Sequence, residues 1–382
     1  MTGQPHANLP ADPCELAPQY IRAIAPYQPG KPISELAREM GLEEASIVKL
    51  ASNENPLGLS PKARAAIEVA LPELGRYPDG NGFELKTALA SRYHVPMAGI
   101  VLGNGSNDVL EMVASAFLGP GRAAVYAEHA FAVYPLATQA RGARGIVVPA
   151  KRYGHDLEAM ARAIDADTRV VFIANPNNPT GTLLAPGEIE AFLRAVPPQV
   201  AVVIDEAYNE YLPAAKRYDS VAWLARHRNL ILTRTFSKAY GLAGLRVGFA
   251  LCDGRIADLL NRVRQPFNVN NLALAAAAAA LGDDAFVRRS HELNLAGMTQ
   301  LTAEFERLGL AWIPSYGNFV SVEIPRAGGA SRAGAVFERL LRRGVIVRPV
   351  GGYGMPDHLR VTVGLDAENA RFLAALAASL RA

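Results

Sequence analysis

The chain has 382 residues, 50% hydrophobic and 20% charged, with a formal net charge of +3, the composition of a globular enzyme with material for two or three domains. That charge is too small to imply nucleic acid, and there is no dense basic run and no interleaving of basic residues with aromatics. The two cysteines cannot form a disulfide framework, which points to a reducing cytoplasm, and the longest apolar run, near Leu272–Leu281, is too short to span a bilayer.

The first 13 residues (MTGQPHANLPADP) lack the charged and apolar regions of a secretory signal. Residues 1 to about 18 read as a mobile arm. Ala25–Pro32 reads as stiff and extended, because each proline turns its predecessor away from helix. Pro32 opens a helix over Ile33–Met40, which Gly41 stops. A strand is expected over Val48–Ala51, followed by Asn53-Glu-Asn-Pro-Leu-Gly58. Ser60 and Pro61 cap and open another helix. Arg76-Tyr-Pro-Asp-Gly80 is a turn before a helix carrying Leu85, Leu89 and Tyr93.

From residue 100 strands and helices alternate. Strands are expected at Ile100–Leu102, Ala123–Tyr126, Ile146–Val148, Val170–Ala174, Ala201–Ile204, Leu230–Thr233 and Val247–Leu251. Helices are expected at Asp108–Phe117, Phe131–Ala140, Leu157–Ile164 and Ile189–Val196. This alternation predicts an α/β fold with a mostly parallel sheet covered on both faces, whose ligand sits beyond the carboxyl ends of the strands. Beyond Asp253 come an alanine-rich helix and a long helix over Asp283–Leu308. Strands Phe319–Glu323, Val345–Val347 and Leu359–Val363 then form a smaller α+β unit, which the N-terminal segment joins. The expected division is a flexible arm at 1–18, an N-terminal segment of the small domain at 19–52, a large domain at 53–282 and the small domain at 283–382.

The strand ends carry the chemistry. Leu102-Gly-Asn-Gly-Ser-Asn-Asp108 precedes a helix, so its free N–H groups suit an anion, although a plain strand-to-helix loop reads equally well. The next exit leads to Phe131, on the first turn of its helix, a ring that either stacks on a planar ligand or packs in the core. Asn175-Pro-Asn-Asn-Pro-Thr-Gly181 can hold the Asn178 amide rigidly at a strand end. Asp205 closes an apolar strand, where a carboxylate needs a cationic partner and none is local in sequence; Tyr208 follows with a phenol. Thr235, Ser237 and Lys238 follow the Leu230–Thr233 strand, with glycines and Arg246 leading into the next. An amine, a buried carboxylate, a phenol, an amide and a phosphate cradle with a guanidinium are the groups that hold pyridoxal phosphate. His129, near Phe131, reads as a solvated loop histidine, and the histidines show no metal-binding spacing.

The runs Asn175–Gly181, Asp205-Glu-Ala-Tyr208 and Ser237–Arg246 resemble the aspartate-aminotransferase fold (fold type I), and within it the histidinol-phosphate aminotransferase group, from about residue 20 to the end. The resemblance implies that Lys238 joins the cofactor covalently and shuttles the proton. It implies that Asp205 pairs with the ring nitrogen, and that Tyr208 and Asn178 contact the ring hydroxyl. The Ser106 and Asn107 amides, Thr235, Ser237 and Arg246 are implied to hold the phosphate. Phe131 stands where the family stacks an aromatic, often tyrosine. Tyr77 corresponds to a tyrosine that reaches the neighbouring subunit's phosphate, implying a homodimer with shared sites. Arg348 and Arg360 are implied to bind substrate anions, with Tyr27 and Asn53 close by; outside the family, each could be a strand-edge arginine in water.

The expected activity is transfer of the amino group from L-histidinol phosphate to 2-oxoglutarate by ping-pong kinetics, in the cytoplasm, with no nucleic-acid or membrane partner. An aromatic-amino-acid aminotransferase or a threonine-phosphate decarboxylase would carry similar cofactor motifs. A transcription regulator with an aminotransferase-like domain would need an N-terminal DNA-binding module, for which about 50 residues before the first motif leave no room.

Overall fold

The structure is a computed structural model and describes residues 12–27 and 30–381. Among the described residues, thirteen strands run in chain order: β1 Val48–Lys49, β2 Ile100–Gly103, β3 Ala123–Ala127, β4 Arg144–Val148, β5 Thr168–Ala174, β6 Ala201–Asp205, β7 Leu230–Thr235, β8 Gly248–Cys252, β9 Trp312–Ile313, β10 Phe319–Glu323, β11 Val345–Ile346, β12 Arg348–Pro349 and β13 His358–Thr362. Seven of them form one sheet in the order β2-β8-β7-β6-β5-β3-β4, with β8 antiparallel to both neighbours and the other pairs parallel. The chain is α/β with the expected mostly parallel sheet.

Alternation along the buried strands sends successive side chains to opposite faces. Val171 and Ile173 of β5 pack on one side with Leu85, Leu89, Ile189, Phe192 and the alanine-rich helix Asn271–Leu281. Val170 and Phe172 pack on the other with Val109, Leu110, Val113 and Tyr134. The alanine side chains let Asn271–Leu281 lie close against helix Pro61–Ala70. A second, antiparallel sheet, β12-β13-β10-β9, packs Val320, Val322, Leu359 and Val361 against Leu301, Phe305, Phe372 and Leu376 of helices Asp284–Arg307 and Asp366–Arg381. β1 pairs with β11 in parallel, joining the N-terminal segment to the C-terminal part.

Helix Ile33–Met40 begins after Pro32 and ends at Gly41 in the left-handed conformation, and Ser60 caps helix Pro61–Ala70 through the Ala63 N–H, all as expected. Residues 1–11 of the expected arm, and Gln28 and Pro29 of the extended segment, lie outside the described residues. In the rest of the arm Asp12 caps a short helix Pro13–Leu16, and just beyond the arm a second helix covers Gln19–Arg22. Gln139 Nε2 donates to the Tyr20 carbonyl at 3.2 Å, fastening this segment to the large sheet's helical layer.

The helix expected from Phe131 starts instead at Val133. A helix begun at Phe131 would need an N–H at Pro135 to bond the Phe131 carbonyl, and proline has none. That carbonyl accepts from Tyr134 N–H at 3.0 Å instead. Phe131 therefore stands in the loop before the helix.

Candidate active site

The carboxyl ends of β5, β6 and β7 open into a cavity of about 210 Å³, closed on the far side by β13 and the segment near Arg348. Lys238, Asp205, Tyr208, Asn178 and Phe131 all line it. So do Ser106, Asn107, Thr235, Ser237 and Arg246, and Tyr27, Asn53, Arg348 and Arg360. Tyr77, which the resemblance placed at a phosphate site, lies elsewhere on this chain, 81% exposed and stacked on Phe267 at 4.7 Å.

Lys238 follows β7 and turns its amine into the cavity, where Nζ donates to the Ser52 carbonyl at 3.0 Å. The residue is partly exposed, but its amine is enclosed by protein. Burial, then the positive charge of Arg360, push its pKa down to about 7. Asp205 is the last residue of β6 and is 4% exposed. The cation it was expected to need is not among its partners. Its Oδ2 accepts from the Tyr134 hydroxyl and its Oδ1 from Thr233 Oγ1, each at 3.0 Å. Neutral donors offset burial only in part, so its pKa rises to about 6, burial being the main cause.

Tyr134 was missed in the sequence. It is fully buried, lies flat against Phe172 at 4.8 Å, and fixes one carboxylate oxygen of Asp205. Asn53 Nδ2 donates to the Tyr208 hydroxyl at 2.9 Å, and burial pushes that phenol up to about 12. Asn53 has φ +55°, and Asn318 holds its carbonyl at 3.0 Å. Asn55 bonds the Ala239 carbonyl and Ser290, tying this loop to the residue after Lys238.

The anion cradle is built where β2 meets its helix. Ser106 and Asn107 open helix Ser106–Phe117, and Gly105 precedes them at φ +82°. The Thr235 hydroxyl accepts from Ser237 N–H at 3.1 Å, and Arg246 Nη1 donates to Ser237 Oγ at 3.3 Å. At the other wall, Arg360 is 6% exposed and donates to Asn178 Oδ1 at 2.5 Å and to the Ala51 carbonyl at 2.7 Å. It is therefore not a strand-edge arginine in water. The Arg348 guanidinium lies 5.5 Å from the Tyr27 ring centroid. His129 is buried, contrary to expectation, and its Nδ1 lies 2.7 Å from the Tyr353 carbonyl.

Residues 45–376 match the family model of the aminotransferases of class I and II. The histidinol-phosphate aminotransferase 2 of Nitrosospira multiformis is 62% identical over 367 residues, 96% of this chain and 92% of that one. The histidinol-phosphate aminotransferase of Sinorhizobium meliloti, solved in complex with pyridoxal-5'-phosphate, superposes with a TM-score of 0.87 at 28% identity, over 95% of this chain and 96% of that one. The aspartate aminotransferase of Thermus thermophilus shares the fold, with a TM-score of 0.82 at 22% identity over 95% of this chain and 99% of that one.

Proposed function

Because the chain belongs to the aminotransferases of class I and II, we propose that it moves the amino group of L-histidinol phosphate to 2-oxoglutarate, using pyridoxal phosphate, in histidine biosynthesis. The geometric observation that carries this reading is a cavity with two separate anion sites. Arg246 stands with Ser237 beside the start of helix Ser106–Phe117, while Arg348 and Arg360 stand with Tyr27 and Asn178. One site suits the cofactor's phosphate and the other the phosphate of the donor.

The residues fit the cofactor. A Cβ at Gly105 would come within 2.6 Å of Arg246 Nη2, and one at Gly248 within 2.4 Å of the Ser106 nitrogen, so the cradle closes around an anion only because these positions are glycine. When bound, pyridoxal phosphate supplies an electron sink for the pair left at Cα of the amino donor. The helix start, Thr235, Ser237 and Arg246 would hold the phosphate through N–H, hydroxyl and guanidinium donors. Asp205, fixed by Tyr134 and Thr233, would hold a proton on the ring nitrogen. Tyr208 and Asn178 would orient the ring hydroxyl, and Phe131 would cover a ring face. Lys238 would form the covalent link; once the donor's amine displaces it, its freed Nζ would take and return the proton at the donor's Cα. An amine with a pKa near 7 can do both near neutral pH.

Arg348→Ala tests the donor. Charge-assisted hydrogen bonds contribute about 1.5–3 kcal/mol each, so kcat/KM for histidinol phosphate is expected to fall at least about tenfold. Glutamate should lose less and phenylalanine little. Steady-state kinetics on the three donors measure this. A wild type that prefers phenylalanine or tyrosine by about tenfold or more would refute histidinol phosphate as the donor and leave the aminotransferase chemistry standing.

The working form is a cytoplasmic homodimer with shared sites. Among the described residues, no helix is long and apolar enough to cross a membrane. Leu71, Leu74, Tyr77, Phe83 and Phe267 expose apolar surface on one chain, which a second copy would cover. Tyr77 then completes the neighbour's phosphate site. Mixing Lys238→Ala subunits with Tyr77→Ala subunits should restore about one intact site per heterodimer. An active monomer by sedimentation would end this reading. The pairing of β1 with β11 supports assigning residues 19–52 and 283–382 to one small domain and 53–282 to a large one.

A further inference from the structure

His129 has no part in the chemistry above, yet it is 8% exposed in a loop and bonded on two sides. Its backbone carbonyl accepts from Asn177 Nδ2 at 3.0 Å, within the same run that presents Asn178. Its ring Nδ1 lies 2.7 Å from the backbone carbonyl of Tyr353. We propose that His129 is a positioning residue for donor selection: it holds the Gly351–Gly354 turn so that the Tyr353 ring forms a wall against the donor's side chain. This rests on the aminotransferase reading with histidinol phosphate as donor.

A carbonyl oxygen only accepts, so Nδ1 carries the proton in this bond. The neutral ring with its proton on Nδ1 and the imidazolium both make the contact. Two residues after His129, Phe131 lines the cofactor end of the cavity, while Tyr353 lines the end with Tyr27 and Arg348. His129 thus fixes the distance between the wall that meets the cofactor and the wall that meets the donor.

The turn needs such a tether. Gly351, Gly352 and Gly354 flank Tyr353, and glycine leaves the backbone many conformations. Local backbone bonds join Tyr353 N–H to the Val350 carbonyl and Gly354 N–H to the Gly351 carbonyl, both at 3.0 Å, while the Tyr353 ring packs on Ile313, Val350 and Met355 and its hydroxyl interacts with Arg348; none of these reaches the wall that carries Phe131. Gly354 has φ +75°, and a Cβ there would touch His129 Cε1 and Nδ1 at 3.4 Å, so ring and turn are fitted closely. Behind the imidazole, Tyr153 stacks at 5.8 Å and sets its edge on His358 of β13 at 5.4 Å. Arg152 and Tyr153 reach this place with φ +53° and +64°, a conformation that non-glycine residues rarely adopt.

An imidazole side chain offers a flat face to such a wall, whereas the aliphatic side chain of glutamate does not. Loosening the turn should therefore harm one donor more than the other.

The test compares His129→Ala, His129→Asn and His129→Gln in the holoenzyme. The Asn amide nitrogen can occupy the place of Nδ1, and the longer Gln amide cannot. In His129→Ala and His129→Gln, hydrogen exchange across 351–354 is expected to rise about tenfold. In the same variants kcat/KM for histidinol phosphate should fall about tenfold and for glutamate less than about threefold. His129→Asn should restore both. If His129→Ala does not fold, the Asn and Gln pair decides. Unchanged exchange at 351–354, or equal losses for both donors, overturns the proposal. Should the wild type prefer another bulky donor, histidinol phosphate is refuted, and the tether is judged by exchange and by that donor's ratio to glutamate.

Discussion

Lys238→Ala is expected to abolish transamination, lowering kcat by at least about a thousandfold, because loss of a general base alone costs about 10²–10⁴. The protein should still fold, since the lysine amine bonds only a backbone carbonyl of Ser52 among the described residues, and its removal relieves the burial of a charge. The cofactor should still enter through the cradle formed by the helix start at Ser106, Ser237 and Arg246, but not covalently. The wild type without cofactor adds a pH signature. Its amine is driven to about 7 by burial and by Arg360, and only the neutral form attacks a carbonyl. Covalent capture of pyridoxal phosphate should therefore rise with pH through about 7 and level off above it. An exposed lysine, with a pKa of about 10.4, would still be climbing there. Borohydride reduction followed by peptide mass mapping reads the linkage, and a label on a different lysine would remove Lys238 from its role.

Strand ends were the readable part of the site, because each carries a short local run whose groups have few other reasons to be together. Asn175–Gly181, Asp205–Tyr208 and Ser237–Arg246 each bring their residues to the cavity without help from distant sequence. What could not be read is what crosses between elements. Tyr134 serves Asp205 from 71 residues away, inside a helix where it looks like one more core aromatic. Asn53 meets Tyr208 across 155 residues, and His129 meets Tyr353 across 224. The helix start at Val133 followed from a missing proline N–H, a local cause that the apolar pattern from Phe131 obscured. The short helix Gln19–Arg22 meets Gln139 through the Tyr20 carbonyl, a contact across 119 residues that no composition argument contains.

Replacing Asp205 by Ala should cost transamination about a thousandfold or more, the scale at which a preorganised charge aimed at the reacting system acts. Tyr134 and Thr233 each hold one of its oxygens, so the carboxylate is placed before the cofactor arrives and does not reorient on binding. Burial raises its pKa to about 6, which makes an ionised Asp205 unfavourable until a protonated ring nitrogen stands opposite. The sign of the pH effect on the cofactor-free protein follows. An unfolded aspartate has a pKa of about 3.9, so between about 4 and about 6 the folded state binds more protons. The stabilisation from holding Asp205 neutral is present below that window and is lost as pH rises through about 6. Over this range the wild type should lose about 2–3 kcal/mol more stability than Asp205→Ala. Bound pyridoxal phosphate should remove that difference by supplying the cation. Denaturant unfolding at several pH values, with and without cofactor, measures it. An Asp205→Ala protein with near-normal turnover, or with the same pH slope as the wild type, would show that the carboxylate neither holds the ring proton nor pays for its burial.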